Sequence, residues 1–352
     1  MTMRELTYQV SFNTPAFLGN AEQQAQWRTP PFKAVLRQWW RVAYAASKDF
    51  RVDVAAMRNE EGRLFGHAWL EHDHDARGEK VAARKSLVRL RLGQWSVGKL
   101  KNWEGSDPTV QHDNVPKPVG SQLYMGYGPL VFRNGTALKA NAAIQSGEHT
   151  TFALACPSQH AALIEQALVL IDHFGTVGGR SRNGWGSFSL KPQNEVAVSV
   201  VAIPLRDWGE CLWLDWAHAI GKDNQGALIW QTQPHADWKA LMKELAVIKI
   251  GLRTQFVFPH AQPDGQVHDR HWLSYPVTTH RVNDWNRNNA RLPNSLRFKV
   301  RPTTDGKLIG VIFHMPCLPP PAFNPDRTAI ERVWQKVHTF LDGHAALTRS
   351  KG

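Results

Sequence analysis

Alternating apolar and polar residues near the start of the chain predict a first β-strand, which ends at Thr14-Pro15. Its apolar members are Leu6, Tyr8, Val10 and Phe12. A helix is predicted from Thr29 to about Ser47, because the two prolines after Thr29 suit a first helical turn. The apolar residues that share one face of this helix are Phe32, Val35, Leu36, Trp39, Val42, Ala43 and Ala46. The opposite face carries Lys33, Arg37 and Arg41, so the side that faces the core is well defined.

The next elements complete one strand and helix series. Strands are predicted over residues 86–92 and 150–155, and a polar loop over 107–118. A second helix follows Pro157-Ser158 and ends at Gly175, and a further strand covers residues 185–190. The inward positions of this second helix are Leu163, Ala167, Leu170, Ile171 and Phe174.

This order of elements is typical of a ferredoxin-like sheet with two helices on one face. The first domain is predicted at residues 1–192, with a boundary near Lys191-Pro192. A second set of elements follows, with helices near 236–247 and 327–341 and strands near 196–203, 255–258, 296–301 and 307–313. The predicted fold class is therefore α+β, with two ferredoxin-like (RRM-like) domains in tandem, the second at residues 193–352.

Composition favours a protein without membrane spans. Hydrophobic residues make up 42% of the 352 residues, with 15 Trp and 15 Phe, and no apolar run is long enough to cross a bilayer. The first ten residues lack the apolar core of a signal peptide, and the cysteines Cys156, Cys211 and Cys317 are far apart. We therefore expect a cytoplasmic protein without a membrane partner.

The net charge of +12 is concentrated in two windows. Residues 77–101 contain eight Lys or Arg and one acid, and residues 281–301 contain six and one. Arg89 and Arg91 in the first window, and Arg297 and Lys299 in the second, alternate with apolar residues. Each window predicts a basic sheet face, either a solvated surface or one that binds nucleic acid.

A glycine-rich loop over residues 175–187 contains five glycines and two arginines. It follows a predicted helix and precedes a predicted strand, whereas dinucleotide and P-loop motifs run from a strand into a helix. Glycines permit a close approach to a ligand, and guanidinium groups suit phosphate oxygens, so the loop predicts a contact with a nucleic-acid backbone. The residues predicted to make it are Gly178, Gly179, Arg180, Ser181, Arg182, Gly184 and Trp185. Trp39, Trp40 and Trp185 suit either the core or a stacking platform.

Four motifs resemble a known family. They read TPAFLG at 14–19, RTPPFKAVLRQWWR at 28–41, LFG at 64–66 and GGRSRNGWGS at 178–187. In this order they resemble the RAMP superfamily of CRISPR proteins, and within it the first subunit of the Cmr, or type III-B, effector complex. Ala34 stands where the family helix usually has glycine, and Asn183 where the loop usually has a second arginine.

The resemblance implies a non-catalytic subunit of a ribonucleoprotein, without cofactor or metal. Its implied partners are the guide RNA, at the guide's 3′ portion, the target RNA that it helps to capture, and other RAMP subunits. It also supports RNA contact by Lys33, Arg37 and Arg41, which could otherwise form only the solvated side of their helix.

Two other functions stay open. The first is a metal-independent endoribonuclease that processes guide precursors, with His173 as a candidate acid or base, although a C-terminal helix cap explains His173 equally. The second is an assembly factor whose basic windows meet acidic protein surfaces. A group of histidines and aspartates over residues 67–75 matches no zinc spacing and is expected to form a solvated loop.

Overall fold

The computed structural model describes residues 2–68, 70–71, 73–103, 105–113, 115–140, 142–193 and 202–350. The α-helices in this part of the chain are α1 Thr29–Ser47, α2 Val54–Phe65, α3 Ser121–Gly126, α4 Ala161–Phe174, α5 Trp208–Cys211, α6 Trp238–Thr254, α7 Asn283–Arg287 and α8 Arg327–Asp342. The strands are β1 Met3–Phe12, β2 His67–Ala68, β3 Ala83–Arg84, β4 Arg89–Leu92, β5 Thr109–Val110, β6 Val119–Gly120, β7 Leu130–Phe132, β8 Thr136–Leu138, β9 His149–Pro157, β10 Phe188–Pro192, β11 Leu205–Asp207, β12 Ile220–Asp223, β13 Gly226–Ala227, β14 Ile229–Thr232, β15 Leu296–Pro302, β16 Leu308–His314 and β17 Leu347–Arg349. Short 3₁₀ helices are Ser158–His160, Asp269–Trp272 and Pro321–Phe323. None of the described helices is long and apolar enough to span a membrane.

The chain divides into two compact units. Unit 1 contains residues 1–101, 140–181 and 185–204, and unit 2 contains residues 102–139, 182–184 and 205–352. Residues 102–139 and 182–184, which the sequence analysis assigns to the first domain, therefore lie in unit 2. The boundary near residue 192 stays a prediction.

Unit 1 contains a four-stranded antiparallel sheet in the order β10-β1-β9-β4. β1 lies at its centre, where Val10 is opposite Leu190 on one side and Thr150 on the other. α1 connects β1 towards β4, α4 connects β9 to β10, and the two helices pack against each other. Phe32 of α1 reaches the sheet, with its ring 5.5 Å from that of Phe188. The apolar alternation of β1 thus faces the helices and forms the core of this unit.

Unit 2 contains a second four-stranded antiparallel sheet, in the order β15-β16-β14-β17. Its chain order, β14-α6-β15-β16-α8-β17, repeats the β-α-β-β-α-β sequence of elements seen in unit 1. α6 lies close to the sheet, because a Cβ on Gly310 would come within 2.8 Å of the Leu245 side chain. On α8, the ring of His338 stacks 5.9 Å from that of Trp230.

The mixed α+β class is confirmed, whereas the tandem ferredoxin-like assignment stays a prediction. Helix α1 has the predicted bounds, and most of its predicted apolar face is buried. The strand predicted at 255–258 is wrong, because α6 continues to Thr254 and the residues after it form a turn and a loop. The strand predicted at 196–203 falls almost wholly on residues 194–201, outside the described residues.

The histidine and aspartate segment at 67–75 is anchored rather than fully solvated. Asp73 is completely buried, and its carboxylate accepts hydrogen bonds from the guanidinium of Arg84 and pairs with His67 Nε2 at 2.7 Å. The hydrogen bonds from Arg84 hold the pKa of Asp73 well below its usual range. This carboxylate therefore serves as an internal counter-ion that ties β2 to β3.

Candidate nucleic-acid interface

The glycine-rich loop is fastened to the TPAFLG segment within unit 1. The backbone N–H of Gly179 donates to the carbonyl of Phe17 at 3.0 Å, and that of Gly186 donates to the carbonyl of Pro15 at 2.9 Å. Gly186 has φ of +63°, and a Cβ at this position would lie 1.9 Å from the carbonyl oxygen of Val177. Here glycine is required because backbone passes directly against backbone.

Trp185 belongs to the core, which corrects its predicted role in RNA contact. Its side chain is 0% exposed, and its ring lies 5.4 Å from that of Phe17. A fully enclosed indole has no face on which a base can stack. Trp39 and Trp40 of α1 are equally buried, so the core alternative holds for all three tryptophans.

Arg180 lies on the exposed part of the loop in unit 1. Its φ of +55° is in the left-handed region, which residues with a Cβ adopt less easily than glycine. Gly178 beside it is exposed with φ of +91°, whereas Gly179 and Ser181 are half-buried. The backbone therefore presents Arg180 to solvent from a constrained turn.

Residues 182–184 of the loop join the sheet of unit 2. The backbone N–H of Phe298 donates to the carbonyl of Arg182 at 3.0 Å, which fixes the loop beside β15. The Asn183 side chain donates to the carbonyl of Met125 and accepts from the ammonium of Lys249, both at 2.7 Å. Gly184 is buried with φ of +90°, so its predicted role as an RNA contact changes to a structural one.

Arg182 and Arg297 form a pair of neighbouring cations in unit 2. Both are half-buried, and burial lowers the pKa of each. The positive charge of Arg182 lowers the pKa of Arg297 further, whereas the nearby Cys317 raises it. No carboxylate in the described part of the chain lies within 4.0 Å of Arg182. Since arginine stays protonated at neutral pH, the pair concentrates positive charge where an anion would offset it.

Lys299 does not belong to an exposed basic face. Its side chain is 0% exposed, and it lies opposite the buried Val311 in the β15–β16 pair. Leu296, Phe298 and Val300, which alternate with the basic residues of β15, are buried too. Both faces of β15 are therefore covered at Lys299, where the alternation wrongly predicts a solvated side chain, whereas Arg297 and Arg301 are half-buried.

On α1, the predicted cations are partly compensated by a buried carboxylate of α2. Glu61 accepts from Arg37 Nε at 2.6 Å and from Arg41 Nε at 2.7 Å. Burial raises the pKa of Glu61, but the hydrogen bonds and charges of the two arginines lower it more, so its net pKa lies below the ordinary value. Lys33 lies one turn earlier, where burial and the charge of Arg37 lower its pKa.

Arg89 and Arg91 lie on β4, an edge strand of the unit 1 sheet. Both side chains are exposed, and they stand opposite Ala155 and Ala153 of β9. Leu92 on the other face is buried, as the alternation predicts. These two arginines thus form an exposed basic edge of that sheet.

Two residues that contact the candidate site residues are not predicted from the sequence. Glu61 is a single acid on a short helix, and only a register of α1 against α2 could reveal that it meets Arg37 and Arg41. Lys249 lies between the buried Ile248 and Ile250. A lysine between two apolar core residues is the one feature of the sequence that indicates a buried contact for its ammonium group. Among the described residues, no cluster of three or more His, Cys, Asp or Glu could hold a metal ion.

Comparison with known proteins gives one sequence family. The sequence model of the RAMP superfamily matches residues 10–189, which are 180 of the 352 residues. No curated protein sequence matches the chain.

Solved structures are similar to nearly the whole chain at low identity. Apo Cmr1 from Pyrococcus furiosus has 15% identity and a TM-score of 0.45, covering 99% of this chain and 98% of that one. A chain of type III-B Cmr-beta bound to cognate target RNA has 10% identity and a TM-score of 0.45, and the match covers 95% of this chain and 99% of that one. A chain of type III-B Cmr-beta bound to cognate target RNA and AMPPnP, in state 2 in the presence of ssDNA, has 11% identity and a TM-score of 0.44. The match covers 95% of this chain and 98% of that one.

Proposed function

The chain belongs to the RAMP superfamily, and from that premise we propose that it is a non-catalytic RNA-binding subunit of a type III-B CRISPR effector complex. The four motifs at 14–19, 28–41, 64–66 and 178–187 support this assignment through their resemblance to the first Cmr subunit. In this role the protein contacts the 3′ portion of the guide RNA, helps to capture target RNA, and assembles with other RAMP subunits in the cytoplasm.

The observation that carries the proposal is the Arg182–Arg297 pair beside the glycine-rich loop. Two neighbouring guanidinium groups repel each other, and partial burial removes much of the water that screens them. A phosphate group reverses this repulsion, and arginine suits it because its planar fork donates two hydrogen bonds at once. Arg180, two residues earlier in the sequence and in unit 1, is a further exposed cation of the loop.

A tandem ferredoxin-like architecture is part of the proposal. Its support is the repeated β-α-β-β-α-β order, with β10-β1-β9-β4 in unit 1 and β15-β16-β14-β17 in unit 2. In each sheet the central strands are the first and third of the unit's four, as the split β-α-β arrangement requires.

The non-catalytic role is supported by the surroundings of His173. This candidate acid or base lies half-buried in the last turn of α4, with its ring 5.8 Å from that of Phe174. A basic side chain at this end also interacts favourably with the helix dipole, which gives His173 a structural role.

The proposal is tested by measuring how RNA binding depends on salt. Wild-type protein, R180A, R182A and the double variant are titrated with labelled single-stranded RNA at several salt concentrations. Each lost phosphate contact should reduce the slope of log K against log salt by about 0.7. R58A is the matched control, because Arg58 is an exposed arginine of α2 in unit 1.

The expected result is a shallower slope for R180A and R182A and an unchanged slope for R58A. Slopes of R180A, R182A and the double variant that equal the wild-type slope would contradict the loop assignment. Incubation of the wild type with a guide precursor should leave the RNA intact, whereas products ending in a cyclic phosphate would establish the endoribonuclease instead.

A further inference from the structure

A second group of cations, none of them among the residues predicted from the sequence, lies within unit 2. Arg253 is in the last turn of α6, Arg270 is in the 3₁₀ helix Asp269–Trp272, and Tyr124 is on α3, which packs against α6. Burial lowers the pKa of Arg270, and the charge of Arg253 lowers it further. Burial lowers the pKa of His112 too, and the charges of Arg270 and Arg253 add to that shift. The ring of His112 lies 5.8 Å from that of Tyr124, so these four side chains occupy one neighbourhood.

Three polar atoms in this neighbourhood are buried without a hydrogen-bond partner. They are the Nε atoms of Arg253 and Arg270 and the hydroxyl of Tyr124. A buried donor left without an acceptor costs about 1–3 kcal/mol, and such groups are few in folded proteins. Ten such atoms occur in the described part of the chain, and these three differ from the buried indoles among them because two belong to cations in one neighbourhood, where an acceptor from outside the chain can complete the bonding.

The charges in this neighbourhood are uncompensated by ion pairs. No carboxylate in the described ranges lies within 4.0 Å of the guanidinium of Arg253 or Arg270. Among the residues that the structure describes, the one acid whose charge acts on this neighbourhood through His112 is Asp113, which raises the pKa of His112 against the lowering by burial and the two arginines. It is an exposed side chain that forms no ion pair with either arginine.

Aromatic rings hold the cations in position. The guanidinium of Arg270 lies 5.7 Å from the centre of the Phe258 ring, and the ammonium of Lys249 lies 5.8 Å from that of Tyr124. Stacking of a cation on a ring fixes its orientation and leaves the donors at its edge available. Guanidinium N–H groups and a neutral hydroxyl are donors suited to the two free oxygens of a phosphodiester.

We propose that Arg253, Arg270 and Tyr124 form a phosphate-binding site that holds one phosphodiester group of RNA. The identity of the ligand rests on the proposed function, whereas the existence of the site rests on the three unpartnered donors. The site uses side chains other than those of the Arg182–Arg297 pair and supplies a further contact to the bound strand.

The test compares R253A, R270A and Y124F with wild type, using labelled single-stranded RNA. Each arginine variant should bind about tenfold more weakly, with a salt slope lower by about 0.7. Y124F should weaken binding several-fold with no change in slope, because the hydroxyl is neutral. K243A is the control, since Lys243 is an exposed cation on the same helix α6.

Thermal unfolding supplies a readout that does not depend on RNA. Sodium phosphate should raise the Tm of wild type and K243A above that in sodium chloride at equal ionic strength, and R270A should lose this increase. If an arginine variant does not fold, R270K and Y124F decide the test, because R270K keeps the charge and removes the fork.

The outcomes separate this site from the proposed function. If the wild type binds RNA and R253A, R270A and Y124F bind it as tightly as K243A, the phosphate site is wrong and the proposed function is unaffected. A wild type that binds no RNA would overturn both the proposed function and the RNA assignment of this site. Weaker binding in all three variants, with the slope reduced only in the arginine variants, is the predicted result.

Discussion

The side-chain oxygen of Asn183 accepts a hydrogen bond of 2.7 Å from the ammonium of Lys249. The amide nitrogen of Asn183 donates at the same distance to the carbonyl of Met125. An asparagine satisfies both groups at once, because its side chain carries an acceptor and a donor. An arginine at this position would place its charge beside the ammonium of Lys249, so the neutral amide of Asn183 suits this contact.

Replacing Asn183 with alanine should therefore destabilise the protein. Loss of two hydrogen bonds, one of them to a charged group, should lower the free energy of unfolding by about 1–3 kcal/mol. Urea unfolding measures the change, and N286A is the control, because Asn286 is an exposed asparagine. Equal stability of N183A and wild type would show that the hydrogen bonds to Lys249 and Met125 contribute nothing.

Glu61 should limit the positive charge that α1 offers to RNA. E61Q removes the carboxylate that pairs with Arg37 and Arg41, and these arginines are 39% and 42% exposed. Because exposure weakens such pairs, we expect a loss of about 1–2 kcal/mol in unfolding free energy. RNA affinity and salt slope should both increase. Unchanged RNA binding by a folded E61Q would argue against an RNA contact by α1.

The contribution of Glu61 should also depend on pH in a defined direction. Its pKa in the folded state lies below the ordinary value of 4.5, so its stabilisation is fully present above that pH. It is lost as the pH falls through the folded-state value. Unfolding curves of wild type and E61Q should therefore differ at pH 7 and converge in acid.

Replacing the tightly packed Gly186 of the loop should lower the free energy of unfolding, whatever its effect on RNA binding. G186A places a Cβ 1.9 Å from the carbonyl oxygen of Val177, so the backbone has to move. G306A is a matched control, because Gly306 has φ of +80° and no atom within 4 Å of the added Cβ. G306A should cost about 1 kcal/mol and G186A several times more, as measured by urea unfolding. Equal costs would show that the steric contact is easily relieved.

Two buried histidines should make the protein sensitive to mild acid. His314 and His338 hydrogen-bond to each other at 2.8 Å. Burial lowers the pKa of His338 to about 3, and burial together with the charge of His338 lowers that of His314 well below 6.5. In the unfolded chain both bind protons below about pH 6.5, whereas the folded chain does not.

Stability should therefore decrease as the pH falls below 6.5, by about 1.4 kcal/mol per pH unit for each histidine. H338Q should remove one such contribution from the slope between pH 6.5 and 5, even if its stability at pH 7 also changes. H149Q is the control, because His149 is exposed. A slope in H338Q equal to that of wild type would contradict a neutral, buried His338.

Sequence patterns are sufficient for the parts of the fold that local physics determines. α1 was predictable because two prolines mark its start and its apolar face repeats with the helical period. The strand at 255–258 failed because α6 extends seven residues beyond the predicted end at 247, and apolar residues such as Phe256 follow it in a turn. A short apolar run does not distinguish a strand from a buried turn.

The site was harder to predict, because its members meet only after folding. Alternation correctly places Arg89 and Arg91 on an exposed edge, but the same alternation at Lys299 lies on an enclosed strand. The contact of Glu61 with α1, and of Lys249 with Asn183, joins residues that are 20 and 66 positions apart along the chain. Spacing in the sequence contains no signal for such pairs.

Isolation of the tagged protein from its native host, at moderate salt, shows whether the protein is an RNA-binding subunit of an effector complex. The RNA and proteins that accompany it are identified by sequencing and mass spectrometry, with R180A/R182A as a matched variant. We expect repeat-derived guide RNAs and other RAMP subunits with the wild type, and less guide RNA with the variant. Wild-type protein free of guide RNA and RAMP subunits, from a host that expresses the locus, would contradict it.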